Sequence, residues 1–313
     1  MSKLFELLHK SKGEIADVVR PLIDAQTGPS PQVSRGFKSE GAPLAAAGVP
    51  AAQGAQPADA PCPSQIRTLS LHVPAPSPLL PFGEGQWRPS EQYRTLRTKI
   101  GQHPTQPHLI VISSPDSGDG KSVTAINTAG ALALKSEGQV LLMDADLRRS
   151  ALHTLLGLPE SPGLADVLAG ACTAEEALVH TREFPNLHVM SCGTPPANPV
   201  ELLDSTRWRD LCAKLRGMFR YVIIDSPPVG AVADYELIQA ACDGVILVLR
   251  PDFTNRHLCQ SALEFVPKAK FLGVLLNCVP DWSPARYVGS DYYYSGEKAY
   301  GSNQAARAAE RGR

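Results

Sequence analysis

The sequence predicts a three-layer α/β/α fold, a mostly parallel sheet with helices on both faces. Three observations predict it. From about residue 88, short apolar runs alternate with stretches of helical length, the pattern of strands buried on both faces of a parallel sheet. One such run, Leu109-Ile110-Val111-Ile112, breaks into the loop Ser113-Ser114-Pro115-Asp116-Ser117-Gly118-Asp119-Gly120-Lys121-Ser122. Two further runs, Val140 to Met143 and Tyr221 to Ile224, end in aspartate. In open α/β sheets ligands bind outside the carboxyl ends of the strands, and all three features fall there.

Taken in chain order, residues 3–23 read as an amphipathic helix. Leu4, Leu7, Leu8, Ile15, Val18, Val19, Leu22 and Ile23 recur at spacings of three and four, with Lys3, Glu6, Lys10, Lys12, Glu14 and Asp17 between them. Such a helix either packs on the main domain or itself, or docks on a partner or membrane surface; its mixed charge weakens the membrane version. Residues 26–65 are rich in Ala, Pro, Gly, Ser and Gln and read as a disordered linker, because they bury too little surface to offset ordering. Residues 66–73 have the composition of a short strand. Further strands are expected at 108–114, 139–144, 187–191, 221–225, 244–250 and 271–277. Helices are expected at 90–101, 121–136, 163–169, 174–180, 206–218, 233–241 and 255–267. The organisation is therefore an N-terminal helix (1–25), a linker (26–87), an α/β domain (88–280) and a flexible Tyr-rich tail (281–313).

Composition narrows the class. The chain has 313 residues, 43% hydrophobic, and a formal net charge of −1. That suffices for one large α/β domain and gives no reason to expect nucleic-acid binding. Seven Cys (62, 172, 192, 212, 242, 259, 278) include no C-x-x-C pair and read as buried thiols of a reducing compartment. No apolar run of membrane-spanning length is present, and charges at the start disrupt the apolar stretch a signal peptide needs. The expected location is cytoplasmic.

Strand, glycine loop ending in Gly-Lys-Ser, then helix is a phosphate loop of the P-loop NTPase kind. Glycines let backbone N–H groups approach phosphate, the lysine reaches the outer phosphates, and the hydroxyl ligates Mg²⁺; the following helix N-terminus favours the anion. Ser117, Gly118, Asp119, Gly120, Lys121, Ser122 and Val123 are thus expected to hold the phosphates of ATP. The pattern departs from G-x-x-x-x-G-K-[ST] at Pro115, and an ordinary strand-to-helix turn is the alternative. Asp144 and Asp146 lie two apart and point the same way if the strand continues. With Asp225 they suit a Mg²⁺ site, since that ion takes few carboxylates; helix capping is the alternative for each. The expected metal set is Ser122, Asp146 and Asp225.

Asp144-Ala145-Asp146-Leu147-Arg148-Arg149 resembles the second Walker motif of the bacterial tyrosine kinases of capsule and exopolysaccharide synthesis, and Asp225-Ser226-Pro227-Pro228 resembles their Walker B. Ser113-Ser114, Gly163-Leu164-Ala165-Asp166-Val167-Leu168 and Pro195-Pro196-Ala197-Asn198-Pro199-Val200-Glu201-Leu202-Leu203 are similar to that family too. The likeness runs from about residue 88 to 295. Val123 stands where the family commonly has a hydroxyl, which removes one contact to phosphate.

The resemblance implies autophosphorylation of a tail cluster, Tyr287, Tyr292, Tyr293, Tyr294 and Tyr300. Chain from 279 to 300 reaches roughly 70 Å when extended, enough to enter a neighbouring subunit. A partner-binding aromatic patch is the alternative. Glu91, Arg94 and Arg97 match the family's E-x-x-R-x-x-R helix, which implies contact with the next subunit of a ring-like homo-oligomer; a solvated ion pair is the alternative. Lys121, Asp144, Asp146, Asp225 and Arg148 are the expected catalytic set. Asp144 would take or orient the phenol proton, Arg148 or Arg149 would steady the phosphoryl group, and Asn277 would meet the adenine edge. The family implies an activator, the cytoplasmic segment of a membrane polysaccharide chain-length regulator, and recruitment to the inner face of the membrane. Two rivals remain. Positioning ATPases of cell division share the fold but carry an extra Lys early in the loop, where this chain has Ser114-Pro115-Asp116. A non-catalytic nucleotide-gated scaffold is the other.

Overall fold

The computed structural model describes residues 66–73, 79, 87–134, 138–251 and 253–279. The expected N-terminal helix, the linker 26–65 and the five tail tyrosines lie outside the described residues.

The first described element is β1 (Arg67–Leu69), followed by α1 (Trp87–Gly101), β2 (Leu109–Ser113), α2 (Lys121–Ala133) and β3 (Val140–Asp144). Next come α3 (Leu152–Leu156), α4 (Leu164–Ala169), α5 (Ala174–Ala177), β4 (Leu178–Thr181) and β5 (Leu187–Met190). The chain continues with α6 (Pro199–Leu203), α7 (Thr206–Met218), β6 (Tyr221–Asp225), α8 (Ala233–Ala241), β7 (Gly244–Leu249), α9 (Arg256–Phe265) and β8 (Phe271–Leu276).

The strands form an eight-stranded sheet in the order β1-β4-β5-β3-β6-β2-β7-β8. Every neighbouring pair is parallel except β4 and β5. The central strands are buried along their whole length because alternate residues feed two separate cores. Leu109, Val111, Leu141, Met143, Val222 and Ile224 pack with Trp208, Leu211 and Leu215 of α7 and Ile238 of α8. Ile110, Ile112, Val140, Leu142 and Ile223 pack on the other face with Leu96 and Ile100 of α1, Ile126 and Leu132 of α2, and Leu152 and Leu156 of α3. Period-2 alternation with both faces apolar is the origin of the three layers.

The expected helix 174–180 is corrected at its end. Thr173 caps α5, its hydroxyl accepting from the Glu176 amide. The helix stops at Ala177, and the next residues become β4, paired with β1 on one side and β5 on the other. Val179 and Thr181 are β-branched, and two neighbouring strands outweigh one more helical turn. The strand within 66–73 is present as β1, inside the segment assigned to the linker.

The phosphate loop and the strand-end carboxylates

The phosphate loop joins β2 to α2. Gly118 and Gly120 have φ of 95° and 94°, the left-handed region that glycine adopts without cost. Space imposes the same choice at Gly120, where a Cβ would sit 2.0 Å from Asn277 Nδ2. The loop is pinned from three sides. Ser113 Oγ donates to Pro227 O at 2.7 Å and the Val229 amide donates to Ser114 O at 2.8 Å, which joins it to the loop after β6. Asp119 is fully buried; it accepts from Thr254 Oγ1 at 2.7 Å and from the Asp116 amide at 3.2 Å. Asn277 Nδ2 donates to Asp119 O at 2.9 Å.

Two of the expected ligands have a structural role here. The Asp119 side chain is turned into the protein and holds the loop's shape, so its backbone is the part that faces a phosphate. Asn277 Nδ2 gives an N–H to the loop and its Oδ1 accepts from the Cys278 amide, so it clamps the loop. Thr254, which sequence reasoning passed over, is the third point of that clamp. Its only signal was the end of a buried strand, Leu249, five residues upstream.

Register brings the two acidic strand ends together. Asp144 and Asp225 are Cα partners across β3 and β6. Lys121 Nζ lies 2.9 Å from Asp146 Oδ2 and 3.8 Å from Asp225 Oδ1. Burial works against the lysine charge, but Asp225 and Asp146 hold the ammonium protonated above the ordinary range. Asp144 and Asp225 are fully buried. Burial raises both carboxyls above their ordinary range; the charge of Asp225 adds to it for Asp144, while Lys121 opposes it for Asp225. Asp144 is well supplied with donors, from the amides of Asp146 (3.2 Å), Ala151 (3.1 Å) and Leu152 (3.1 Å). Neither oxygen of Asp225 accepts a hydrogen bond of normal geometry among the described residues, although Lys121, the Ser122 hydroxyl and the Ser226 amide all oppose the effect of burial on its carboxyl.

A buried carboxylate this short of well-placed donors is costly; Lys121 at 3.8 Å offsets that only in part, and a bound cation would relieve it further. Ser122, Asp146 and Asp225 therefore fit Mg²⁺, with nucleotide oxygens and water completing the shell. Among the described residues no three His, Cys, Asp or Glu side chains converge as a metal cage; an ion held largely by phosphate oxygens does not require one.

Beside this cluster opens a cleft of about 600 Å³, lined by the loop residues Ser117, Gly118, Gly120, Lys121, Ser122 and Val123, by Asp146, Arg148 and Arg149 after β3, and by Pro227 and Pro228 after β6. Val123 also packs against the apolar core on the α2 side. Arg148 is held by Asp234 of α8 through Nε–Oδ2 at 2.8 Å and Nη2–Oδ1 at 3.0 Å, leaving Nη1 uncommitted. Asp234 is fully buried and was not anticipated; an acid in the first turn of a helix reads as a dipole partner. The Arg149 guanidinium makes no ion pair with a described residue. On α1, Glu91 and Arg94 pair with each other, while Arg97 Nη1 donates to Ala131 O at 3.2 Å. Arg97 is therefore partly engaged with α2, while Glu91 and Arg94 are exposed. Among the cysteines, Cys192, Cys212, Cys242 and Cys259 are buried, but Cys278 is exposed.

The fold and this site define a P-loop nucleotide-binding protein of the three-layer α/β/α type. No protein-family model matches the chain. It is 37% identical over 192 residues to the tyrosine-protein kinase YwqD of Bacillus subtilis, covering 60% of this chain and 80% of that one. It is 34% identical over 212 residues to the tyrosine-protein kinase CpsD of Streptococcus agalactiae, covering 66% and 90%. Among solved structures, the chimerical protein CapA2B2 matches with a TM-score of 0.62 at 30% identity, covering 69% of this chain and 94% of that one. The kinase domain of the Escherichia coli tyrosine kinase ETK matches at 0.55 and 28%, covering 62% and 77%. The chain belongs to the bacterial tyrosine-protein kinases.

Proposed function

We propose that the protein is an ATP-dependent protein-tyrosine kinase that phosphorylates the tyrosines of its own C-terminal tail in trans within an oligomer, and so regulates exopolysaccharide synthesis or export. The observation that carries this reading is the meeting of Lys121, Asp146 and the poorly satisfied Asp225 at one end of the sheet, beside a cleft that Arg148 and Arg149 also line.

ATP phosphates lie on the backbone amides of Ser117 to Val123, and Lys121 neutralises their outer charge. When bound at Ser122, Asp146 and Asp225, Mg²⁺ supplies charge neutralisation for the phosphoryl oxygens. A tail phenol oxygen attacks the γ-phosphorus, the bond to the β–γ bridging oxygen breaks, and ADP leaves with that electron pair. The phenol proton passes to Asp144. Forming free phenolate at pH 7 would cost about 4 kcal/mol, and a carboxyl raised by burial and by Asp225 is suited to hold the proton instead. Arg148, fixed in direction by Asp234, presents Nη1 to the transferring group, and Arg149 supplies a second, more adaptable cation. The partner is the cytoplasmic segment of a membrane polysaccharide chain-length regulator, which recruits the kinase from the cytoplasm to the inner face of the membrane. No helix of the described residues is long and apolar enough to cross a membrane.

The test is incubation of the full chain with Mg·ATP, with and without that activator segment, followed by detection of phosphotyrosine. Labelling that disappears in Lys121→Met and in the five-fold tail Tyr→Phe variant supports the proposal. Labelling that survives Lys121→Met refutes it. ATP hydrolysis without labelling favours the positioning-ATPase reading, and nucleotide binding with neither activity favours the scaffold.

A further inference from the structure

The opposite end of the central strands carries a second cavity, of about 240 Å³, room for roughly eight waters. It lies between α1, the C-terminal end of α2 and the first residues of β3 and β6. Val140 lines it and opens β3, whereas Asp144 closes β3 at the cleft. About 13 Å of strand therefore separates the two sites.

Its walls combine two chemistries. Leu132, Val140 and the Tyr221 ring are apolar; Arg97, Arg220 and Gln102 are donors. Among the described residues no acidic side chain lines it, and neither arginine pairs with a carboxylate. Arg97 spends one N–H on Ala131 O, and its remaining donors are uncommitted. Arg220 is stacked, its guanidinium carbon 4.6 Å from the Tyr221 ring centroid, with Nη1 3.4 Å from His108 Nε2. Stacking fixes the plane of the guanidinium and so the direction of its fork. Gly138 has φ of 143°, and a Cβ there would meet Arg220 Cβ at 2.8 Å, so the arginine occupies the space a side chain at 138 would need.

Two guanidiniums in one concavity, with no counter-charge among the described residues, call for a dianion, and planar forks suit phosphate oxygens. An apolar wall beside them calls for an apolar body on that anion. We infer that this cavity binds a phosphate monoester carried on an aromatic ring, of which the phosphotyrosine side chain is the protein-borne form. The inference goes beyond the kinase reading and does not rest on it, because the phosphorylated group can come from any source.

The test uses the dephosphorylated full chain saturated with Mg·ADP, so that the phosphate loop is filled. Phenyl phosphate, inorganic phosphate and phenol are titrated by calorimetry. Phenyl phosphate is expected to bind about tenfold more tightly than either of the others. Arg97→Gln and Arg220→Gln should each weaken it by about tenfold or more, the loss expected for charge-assisted hydrogen bonds, while Mg·ADP affinity stays unchanged and reports that each variant is folded. Arg220→Lys, which keeps the charge and loses the fork, should recover only part of the affinity. No binding to the saturated protein overturns the inference, as does binding indifferent to both arginines. Equal affinity for inorganic and phenyl phosphate overturns its aromatic half. A phosphorylated peptide of residues 287–300 that binds with the same arginine dependence identifies the tail as a source. A peptide that fails where phenyl phosphate succeeds identifies a small-molecule one.

Discussion

Asp225 and Asp243 stand at opposite ends of the strands of one sheet and are treated in opposite ways. Asp243, just before β7, accepts from the amides of His108 and Leu109 at 2.9 Å each and from Arg216 Nη1 at 2.7 Å. Burial pushes its carboxyl upward, but the Leu109 amide, Arg216 and the His108 amide outweigh it and hold it below the usual range. Asp225, closing β6, is more deeply buried and accepts nothing of normal geometry among the described residues. One aspartate ties the foot of the sheet together. The other is kept short of partners at the end where the phosphate loop lies. Unsatisfied buried charge of this kind collects where a ligand is to complete it, so the contrast separates a structural acid from a functional one.

Four experiments break or sharpen that contrast, from the largest expected effect to the smallest. Lys121→Met removes the cation that faces both Asp146 and Asp225. Tyrosine labelling should fall by at least about a hundredfold, the scale of losing one preorganised charge contact, as read by initial rates with saturating Mg·ATP. A fall of only a few-fold would place the chemistry elsewhere.

Asp243→Asn should cost about 2 kcal/mol of unfolding free energy at pH 7, measured by urea denaturation, with labelling per folded molecule retained. The pH dependence follows from the lowered carboxyl. Its stabilisation is fully present above the ordinary unfolded value of about 3.9 and is lost as pH falls through the lower folded value. The deficit of Asp243→Asn should therefore be constant from pH 7 to 5 and shrink below about pH 4. A deficit that persists unchanged into acid would show that shape, not charge, is what Asp243 contributes.

Asp225→Asn should act in the reverse sense. In the metal-free protein it removes a buried carboxylate that burial disfavours, against one ion pair with Lys121 at 3.8 Å, and should raise stability by about 1 kcal/mol. It should also lose part of the thermal shift that Mg·ATP gives the native chain, which is near 2.7 kcal/mol at a hundredfold excess over Kd. A destabilised Asp225→Asn with an intact Mg·ATP shift would erase the distinction between the two aspartates. Asn277→Ala, which unclamps the loop without touching either acid, should raise the KM for ATP about three- to tenfold and change kcat less; an unchanged KM would show that Thr254 and Asp119 suffice to shape the loop.

The central strands were legible because each is a continuous apolar run ending in a loop residue with special chemistry. Val140 to Asp144 and Tyr221 to Asp225 fall within one residue of the expected bounds. The β4 strand was not legible, because residues 174–180 have helical composition and only pairing with β1 and β5 makes the last part a strand. Near the loop the difficulty was of another kind. Asp119, Thr254 and Asn277 lie far apart in sequence, and nothing local to any of them shows that they meet. Asp119 looked like a phosphate ligand because it sits in the glycine loop, yet its carboxylate faces inward.

The sequence by itself determined the identity of the chemistry: a strand, a glycine loop, Gly120-Lys121-Ser122, and aspartates at the ends of two other strands. Those are local patterns, set by which side chains a short stretch presents and by which backbone angles glycine permits. Tertiary structure alone decided which acid is left short of donors and which is satisfied. Parallel register places Asp144 opposite Asp225, the approach of Asn277 and Thr254 fixes the loop, and Asp234 claims Arg148. The reason is physical. The energy of a buried charge depends on every donor and charge within a few ångströms of it, and the fold brings those together from positions that share no local pattern.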